Sequence, residues 1–263
     1  MSPKYLEVNT VLLLKTQIKE QSVDKYEQLL VANGFAVKQV NTLVFQYKNL
    51  ELLTKKLNCS DCYSGIIFSS PRCVQAVYLA YQNSQADISS WKLKKNFAVG
   101  AATSKEALEK LGLECKGQES GSAENLLNFI LKENCSYKMP FLYPHGNLKR
   151  DTFSELKGTN EITVESVLAY DTINNPNILD EMREATDNFT LIPEYVIFFS
   201  PSGVHSTLEY LRKVENFTSS KLIPIGPTTE LSMKEANLPV FGVAQHPSPQ
   251  GVLDIILSKS ISY

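Results

Sequence analysis

Several familiar signals are missing from this chain of 263 residues. No apolar run approaches the roughly 20 residues that cross a bilayer, so no membrane is expected as a partner. Met1–Thr10 is polar, carries Lys4 and Glu7, and lacks the basic-then-apolar layout of a signal peptide; a cytoplasmic protein is expected. There is no basic excess, with Lys+Arg 26 against Asp+Glu 28 and a formal net charge of −2. A phosphate-tracking face usually shows one, so no nucleic acid is expected either. A polyanionic ligand would have to be held by local donors. Neither G-x-x-x-x-G-K-S/T nor G-x-G-x-x-G after a strand occurs, which speaks against the common nucleotide-binding designs. Histidine is scarce: His145, His205 and His246 lack metal-like spacing, and no metal site is expected. Cys59 and Cys62 form one C-x-x-C, yet a zinc ribbon needs a second pair. A redox pair usually opens a helix after a strand, whereas this one precedes the apolar run Gly65–Phe68. With Cys73, Cys115 and Cys135 they are expected to be reduced, structural or incidental thiols.

What is present suits a soluble globular protein with a substantial core: hydrophobic residues are 43% and charged residues 21%. Apolar runs of strand length recur at Val11–Leu14, Gly65–Phe68, Phe97–Gly100, Phe141–Tyr143, Val196–Phe199, Leu222–Ile225 and Val240–Ala244. Helical patterns lie between many of them. In Val23–Asn33, Tyr26, Leu29, Leu30 and Ala32 share roughly one face, and Asn33-Gly34 supplies a stop. Short apolar strands alternating with amphipathic helices predict α/β units with parallel sheets.

The pattern is duplicated. Ile66–Arg72 (IIFSSPR) echoes Val196–Gly203 (VIFFSPSG), and Val99–Leu113 echoes Ile225–Leu238. Ser70 and Ser200 are 130 apart, Gly100 and Gly226 are 126 apart, Ser122 and Ser248 are 126 apart, and Gly34 and Gly158 are 124 apart. Two similar α/β halves across a cleft follow, with a ligand expected at the carboxyl ends of the strands, where helices begin. The repeated junctions have one design. Ser70-Pro71 and Ser200-Pro201 each put a serine at N-cap and a proline at the opening helical position. Thr103 with Glu106 reads as a capping box after a turn at Gly100, and Gly226-Pro227-Thr228-Thr229 is its counterpart. Pro144–Asn147 is expected to open a helix over Leu148–Leu156. Each junction offers free backbone N–H groups and a positive dipole end, suited to a ligand with several carboxylates. Capping also serves any βα protein without a ligand.

The strings FSSPR, VGAAT, YPHGNLKRD, FFSPSG and IGPTT, in this order over roughly residues 8 to 257, resemble those of eukaryotic uroporphyrinogen-III synthases. Ala102 departs from the family, many of whose members carry Asn there, with one polar contact in the cleft at stake. The resemblance implies two flavodoxin-like parallel-sheet domains joined by a two-stranded β connector, with the first βα unit exchanged. One domain would combine 1–40 with 176–263, the other would span 57–158, and 41–56 and 159–175 would be the connector strands. Ile162–Thr172, rich in β-branched residues, suits such a strand.

It also implies a cyclising lyase of heme and porphyrin biosynthesis, monomeric and without cofactor. The substrate would be hydroxymethylbilane, a linear tetrapyrrole with eight carboxylate side chains. Loss of its hydroxyl gives an azafulvene, ring D attacks through its substituted carbon, and the spiro intermediate reopens and closes with ring D inverted. The electron-rich pyrroles stabilise the cation, so the protein's task is chiefly to fold the chain. Tyr170, in LAYDT, matches the family's connector tyrosine and is the candidate catalytic residue, a phenol able to donate to the departing hydroxyl. Substrate contacts are expected from Ser70, Arg72, Gly100, Thr103, Asn147, Ser200, Ser202, Gly203, Gly226 and Thr228, with Lys149 and Arg150 as further carboxylate partners. Two other readings compete with this one: a non-enzymatic two-domain binder of a polycarboxylate or nucleotide-like ligand, and a flavin protein on a flavodoxin-like fold.

Overall fold

The computed structural model describes residues 6–16, 24–82, 88–133, 136–148, 153 and 162–260. The elements run β1 (Leu6–Lys15), α1 (Lys25–Ala32), β2 (Ala36–Asn41), β3 (Leu43–Tyr47), α2 (Leu50–Leu57), β4 (Gly65–Phe68), α3 (Pro71–Gln82), β5 (Phe97–Ala98), α4 (Ala101–Leu111), α5 (Ala123–Lys132) and β6 (Phe141–Gly146). They continue as β7 (Val164–Asn174), α6 (Ile178–Ala185), β8 (Ile192–Phe198), α7 (Pro201–Leu211), β9 (Lys221–Pro224), α8 (Pro227–Glu235) and α9 (Pro249–Ser260). The chain divides into two compact units, residues 1–44 with 173–263, and residues 45–172. No helix among the described residues is long and apolar enough to cross a membrane.

The discontinuous unit holds a sheet ordered β2-β1-β8-β9 with every pairing parallel. A strand covered on both faces cannot alternate apolar with polar residues, and Val11–Leu14 and Tyr195–Phe198 are buried throughout. Leu12 and Leu14 face α6, α7 and α8 through Ile178, Met182, Val204, Leu211 and Met233. Val11 and Leu13 face α1 and α9 through Leu30, Val252 and Ile256.

The continuous unit repeats this layering. Its sheet is ordered β3-β7-β6-β4-β5, and β7, β6, β4 and β5 pair in parallel. Ile66 and Phe68 pack on α2, α3 and α4, whereas Ile67 and Phe97 pack on α5. Here β6 and β7, the last strands of the unit in sequence, take the places that β1 and β2 hold in the other sheet. The caps repeat as well: Ser122 and Ser248 accept from Asn125 N and Gly251 N, each at 3.1 Å.

Several expectations change. Val240–Ala244 is not a strand. Phe241 N donates to Leu222 O at 2.9 Å, so the segment follows the edge of β9, but Pro239 lacks an N–H and no ladder forms. Pro144–Gly146 does not open a helix; it continues β6, with Pro144 and His145 in register with Val167 and Leu168. The expected Leu148–Leu156 helix, with Lys149, Arg150 and Gly158, falls outside the described residues apart from Leu148 and Phe153. Residues 41–56 are not one strand: β3 gives way to α2 after Asn49, which adopts a left-handed φ of 51°. Cys59 and Cys62 are not free thiols but a disulfide, their Cα atoms 5.5 Å apart, within bridging range.

Candidate active site

In the continuous unit, β4 ends at Phe68, Ser69-Ser70 follow, and Pro71 opens α3. Ser70 Oγ accepts from Cys73 N at 3.4 Å and lies 3.3 Å from Tyr170 Oη. Tyr170 comes from β7, two strands away, where its register partner is Gly146 of β6. The tyrosine ring rests on that glycine: a Cβ there would lie 2.6 Å from Tyr170 Cζ and 2.9 Å from Oη. Asn147 fixes the same strand pair. Its backbone N donates to Tyr170 O at 3.1 Å, its Oδ1 accepts from Thr172 N at 2.9 Å, and its Nδ2 donates to Thr172 O at 3.2 Å. The Asn147 amide is therefore committed to the β6–β7 pair and braces Tyr170.

Burial is the largest influence on the Tyr170 phenol and raises its pKa; the Cys73 thiol raises it further, against smaller lowering effects of Ser70 and Arg72. Tyr170 is thus a neutral hydroxyl donor at physiological pH. Cys73, wholly buried, lies 3.3 Å from Ser70 Oγ and 3.5 Å from Ser69 Oγ, and burial pushes its thiol up. It is a floor for the serines rather than a nucleophile.

Arg72, on the opening turn of α3, stacks its guanidinium 3.4 Å from the centroid of the Phe45 ring. Phe45 in turn meets Tyr170 edge-on, with centroids 6.1 Å apart. Arg72 forms no ion pair among the described residues. Burial draws its pKa down, offset in part by Tyr170, Tyr47 and Cys73. Tyr47 belongs to the same cluster: burial raises its phenol, and Arg72, Glu106 and Tyr170 all act on it. Phe45 and Tyr47 escape sequence reasoning, since β3 carries no motif. Their alternation on a short apolar strand before the FSSPR junction is the one signal available.

At the next junction the turn is as expected but the cap is not. Gly100 has φ of 82°, so the chain reverses there and α4 starts at Ala101. Thr103 is therefore inside the opening turn, buried, and not an N-cap; Glu106 pairs with Lys110 on the next turn at 3.3 Å. The matching helix α8 has Gly226 at N-cap and Pro227 following. The residue placed as Thr103 is Thr229, which is buried, whereas Thr228 is exposed.

In the discontinuous unit, Ser200 Oγ accepts from Gly203 N at 3.1 Å and lies 3.0 Å from Ser202 Oγ. A Cβ at Gly203 would meet Ser200 Oγ at 3.3 Å and Thr42 Cγ2 at 3.5 Å, so a small residue is favoured. At the end of β1, Lys15 is buried against Asp24, with its Nζ 5.1 Å from the ring centroids of both Tyr26 and Phe199. This cation is paired with a carboxylate, whereas Arg72 pairs with none among the described residues. Ser70, Arg72, Asn147 and Tyr170 are thus brought to one end of one sheet, with Gly100 and Thr103 after the adjacent strand. Ser200, Ser202, Gly203, Gly226 and Thr228 occupy the corresponding strand ends of the other sheet.

A family profile described as uroporphyrinogen-III synthase HemD matches residues 24–254. The chain belongs to the uroporphyrinogen-III synthase family. Its fold is similar to that of uroporphyrinogen-III synthetase from Helicobacter pylori, at 18% identity and a TM-score of 0.61, covering 95% of this chain and 99% of that one. A mutant uroporphyrinogen III synthase from the extremely thermophilic bacterium Thermus thermophilus is similar at 13% identity and a TM-score of 0.52, with the same coverage. Mixed α/β architecture with parallel sheets is common to these uroporphyrinogen-III synthases and to this chain. Membership makes the chain an enzyme, a cyclising lyase of heme and porphyrin biosynthesis whose substrate is hydroxymethylbilane.

Proposed function

We propose that the Tyr170–Ser70–Arg72 cluster is where this uroporphyrinogen-III synthase acts on hydroxymethylbilane. Tyr170 Oη donates a hydrogen bond to the ring A hydroxyl, whose C–O bond breaks; the hydroxyl leaves as water with the proton of the ring A N–H, which generates the azafulvene. Ring D then attacks through its substituted carbon, and the spiro intermediate fragments and recloses to uroporphyrinogen III. Arg72 takes one substrate carboxylate. The backbone N–H groups opening α3 and α4, with Ser70, Gly100 and Thr103, take others; in the other unit, those opening α7 and α8, with Ser200, Ser202, Gly203, Gly226 and Thr228, are candidate carboxylate donors of the same kind. Asn147 acts through Tyr170. The observation that carries the reading is the neutral phenol held on Gly146 beside a cation that pairs with no carboxylate among the described residues. No other group need carry the reaction, because the pyrroles themselves stabilise the positive charge.

The order β2-β1-β8-β9 follows the 2-1-3-4 order of flavodoxin-like sheets, which supports two domains of that kind. The chain passes between the units after Val44 and after Thr172, inside the segments 41–56 and 159–175 proposed as connectors. The test is an assay on enzymatically generated hydroxymethylbilane that resolves type I from type III product. The type III isomer is expected; type I alone, the outcome of unassisted closure, overturns the reading.

A further inference from the structure

A guanidinium that binds an incoming carboxylate needs two things: a fixed orientation and no carboxylate of its own. Protein arginines are usually oriented by an acidic neighbour, which satisfies the orientation but also occupies the cation. Arg72 is arranged differently. It is half-buried, no ion pair engages it among the described residues, and its guanidinium lies 3.4 Å from the Phe45 ring centroid. At that distance the planar group lies against the ring face, where attraction to the negative quadrupole leaves the edge N–H donors free. The same Phe45 meets Tyr170 edge-on at 71° between planes. One side chain thus touches both the candidate cation and the candidate proton donor. Its strand is anchored beside Tyr170, since Lys48 N donates to Ala169 O at 2.9 Å.

We propose that Phe45 is a positioning residue that presents Arg72, uncompensated and pre-oriented, to one carboxylate of the tetrapyrrole. The inference rests on the assignment of this cluster as the active site. Phe45 does not touch substrate; it sets how much of the Arg72 charge the carboxylate receives. Removing the ring lets the guanidinium turn toward water, and substrate then binds a cation that is no longer in place.

The test is a double-mutant cycle on the full chain, read by steady-state turnover of hydroxymethylbilane and by fluorescence titration with uroporphyrin III, an octacarboxylate. Phe45→Leu is expected to raise KM and the uroporphyrin dissociation constant about 2- to 30-fold, the range of a cation–π contact, with kcat within about twofold. Phe45→Trp, which keeps an aromatic face, restores binding. On an Arg72→Gln background, Phe45→Leu adds no further loss, because contacting residues that act as a unit are non-additive. Additive losses, or Phe45→Trp as weak as Phe45→Leu, overturn the inference. If Phe45→Leu does not fold, Phe45→Tyr and Phe45→Met replace it in the same cycle. Type III product from the wild type with Arg72→Gln impaired and Phe45→Leu unaffected overturns only the role of Phe45. Type I product from the wild type overturns the active-site assignment itself.

Discussion

Replacing Tyr170 with phenylalanine isolates the phenol from everything else the ring does. The ring lies on Gly146 and against Phe45, and both contacts survive the change. The loss inside the folded protein is one hydroxyl contact to Ser70 Oγ, long at 3.3 Å. A hydrogen bond of that kind contributes about 1 kcal/mol or less, so thermal stability should fall by no more than a few degrees. In the transition state the balance differs. The hydroxyl is held beside buried groups, where a donor aimed at a departing oxygen is worth far more than in water. Removing one such donor costs about 10²- to 10³-fold in kcat, with KM little changed, since the contact is made as the hydroxyl leaves. The assay is single-turnover conversion of hydroxymethylbilane, with type I and type III product separated at each time point. Residual type III product is expected, because chain folding by backbone donors remains. Wild-type kcat in folded Tyr170→Phe protein would refute the argument that the phenol assists departure. Complete loss of type III product at unchanged KM would refute the claim that catalysis is shared with backbone donors.

Gly146→Ala should be at least as damaging as Tyr170→Phe. Its Cβ would fall 2.6 Å from Tyr170 Cζ, and the forced shift should cost about 1–3 kcal/mol in urea unfolding. Thr103→Ala and Thr229→Ala should each destabilise by about 1 kcal/mol as buried positions, and exposed Thr228→Ala should stay within about 0.5 kcal/mol; the reverse ranking in thermal melts would contradict the placement of these helices. Tyr170, Tyr47 and Tyr63 all have raised pKa values in the fold, chiefly through burial. The unfolded chain therefore loses those protons at lower pH, so their contribution is whole below about pH 10 and is lost as pH climbs through the folded values. Glu165 is shifted the other way by Lys56 and by Tyr63, whose Oη donates to it at 2.6 Å. Its contribution is present above the ordinary glutamate pKa and is lost as pH falls through the lowered value. Urea midpoints across pH 3–11 should show both limbs, Tyr63→Phe flattening the alkaline one and Glu165→Gln the acid one.

Much of the layout can be read from local chemistry. Gly65–Phe68 is an apolar run of strand length, and the strand has those bounds. Ser200-Pro201 combines a capping oxygen with a residue that needs no donor, and the helix begins there. The misreadings arise where a tertiary partner overrides a local signal. Proline, histidine and glycine at 144–146 suggest the opening of a helix, yet pairing with β7 carries them on as strand. Gly100 is legible as a turn, but its positive φ starts α4 early and moves Thr103 from the cap into the core. In α8, Thr229 stands three residues after the Gly226 cap, as Thr103 does after Gly100, so the buried threonine there is Thr229 and not Thr228. Tyr170 is reachable through family resemblance. Its support is not, because Gly146, Asn147 and Phe45 meet it through register and stacking, which one-dimensional spacing does not encode.

The place of β1 in its sheet has a consequence for how the protein is made. Leu12 pairs with Val196 and Leu14 with Phe198, so the partner strand is synthesised long after β1 has left the ribosome. At about 5–20 residues per second, that interval is roughly ten seconds or more. The strand that waits carries four consecutive apolar residues, Val11–Leu14, all at 0% exposure once folded. Residues 45–172 have all four of their mutually parallel strands as soon as β7 emerges. Folding therefore runs from the middle outward: the interior sheet is complete while the edge of β1 that β8 will cover is still open to other strands. Limited proteolysis of ribosome-bound chains stalled beyond residue 172 should cut near the amino terminus while sparing the interior.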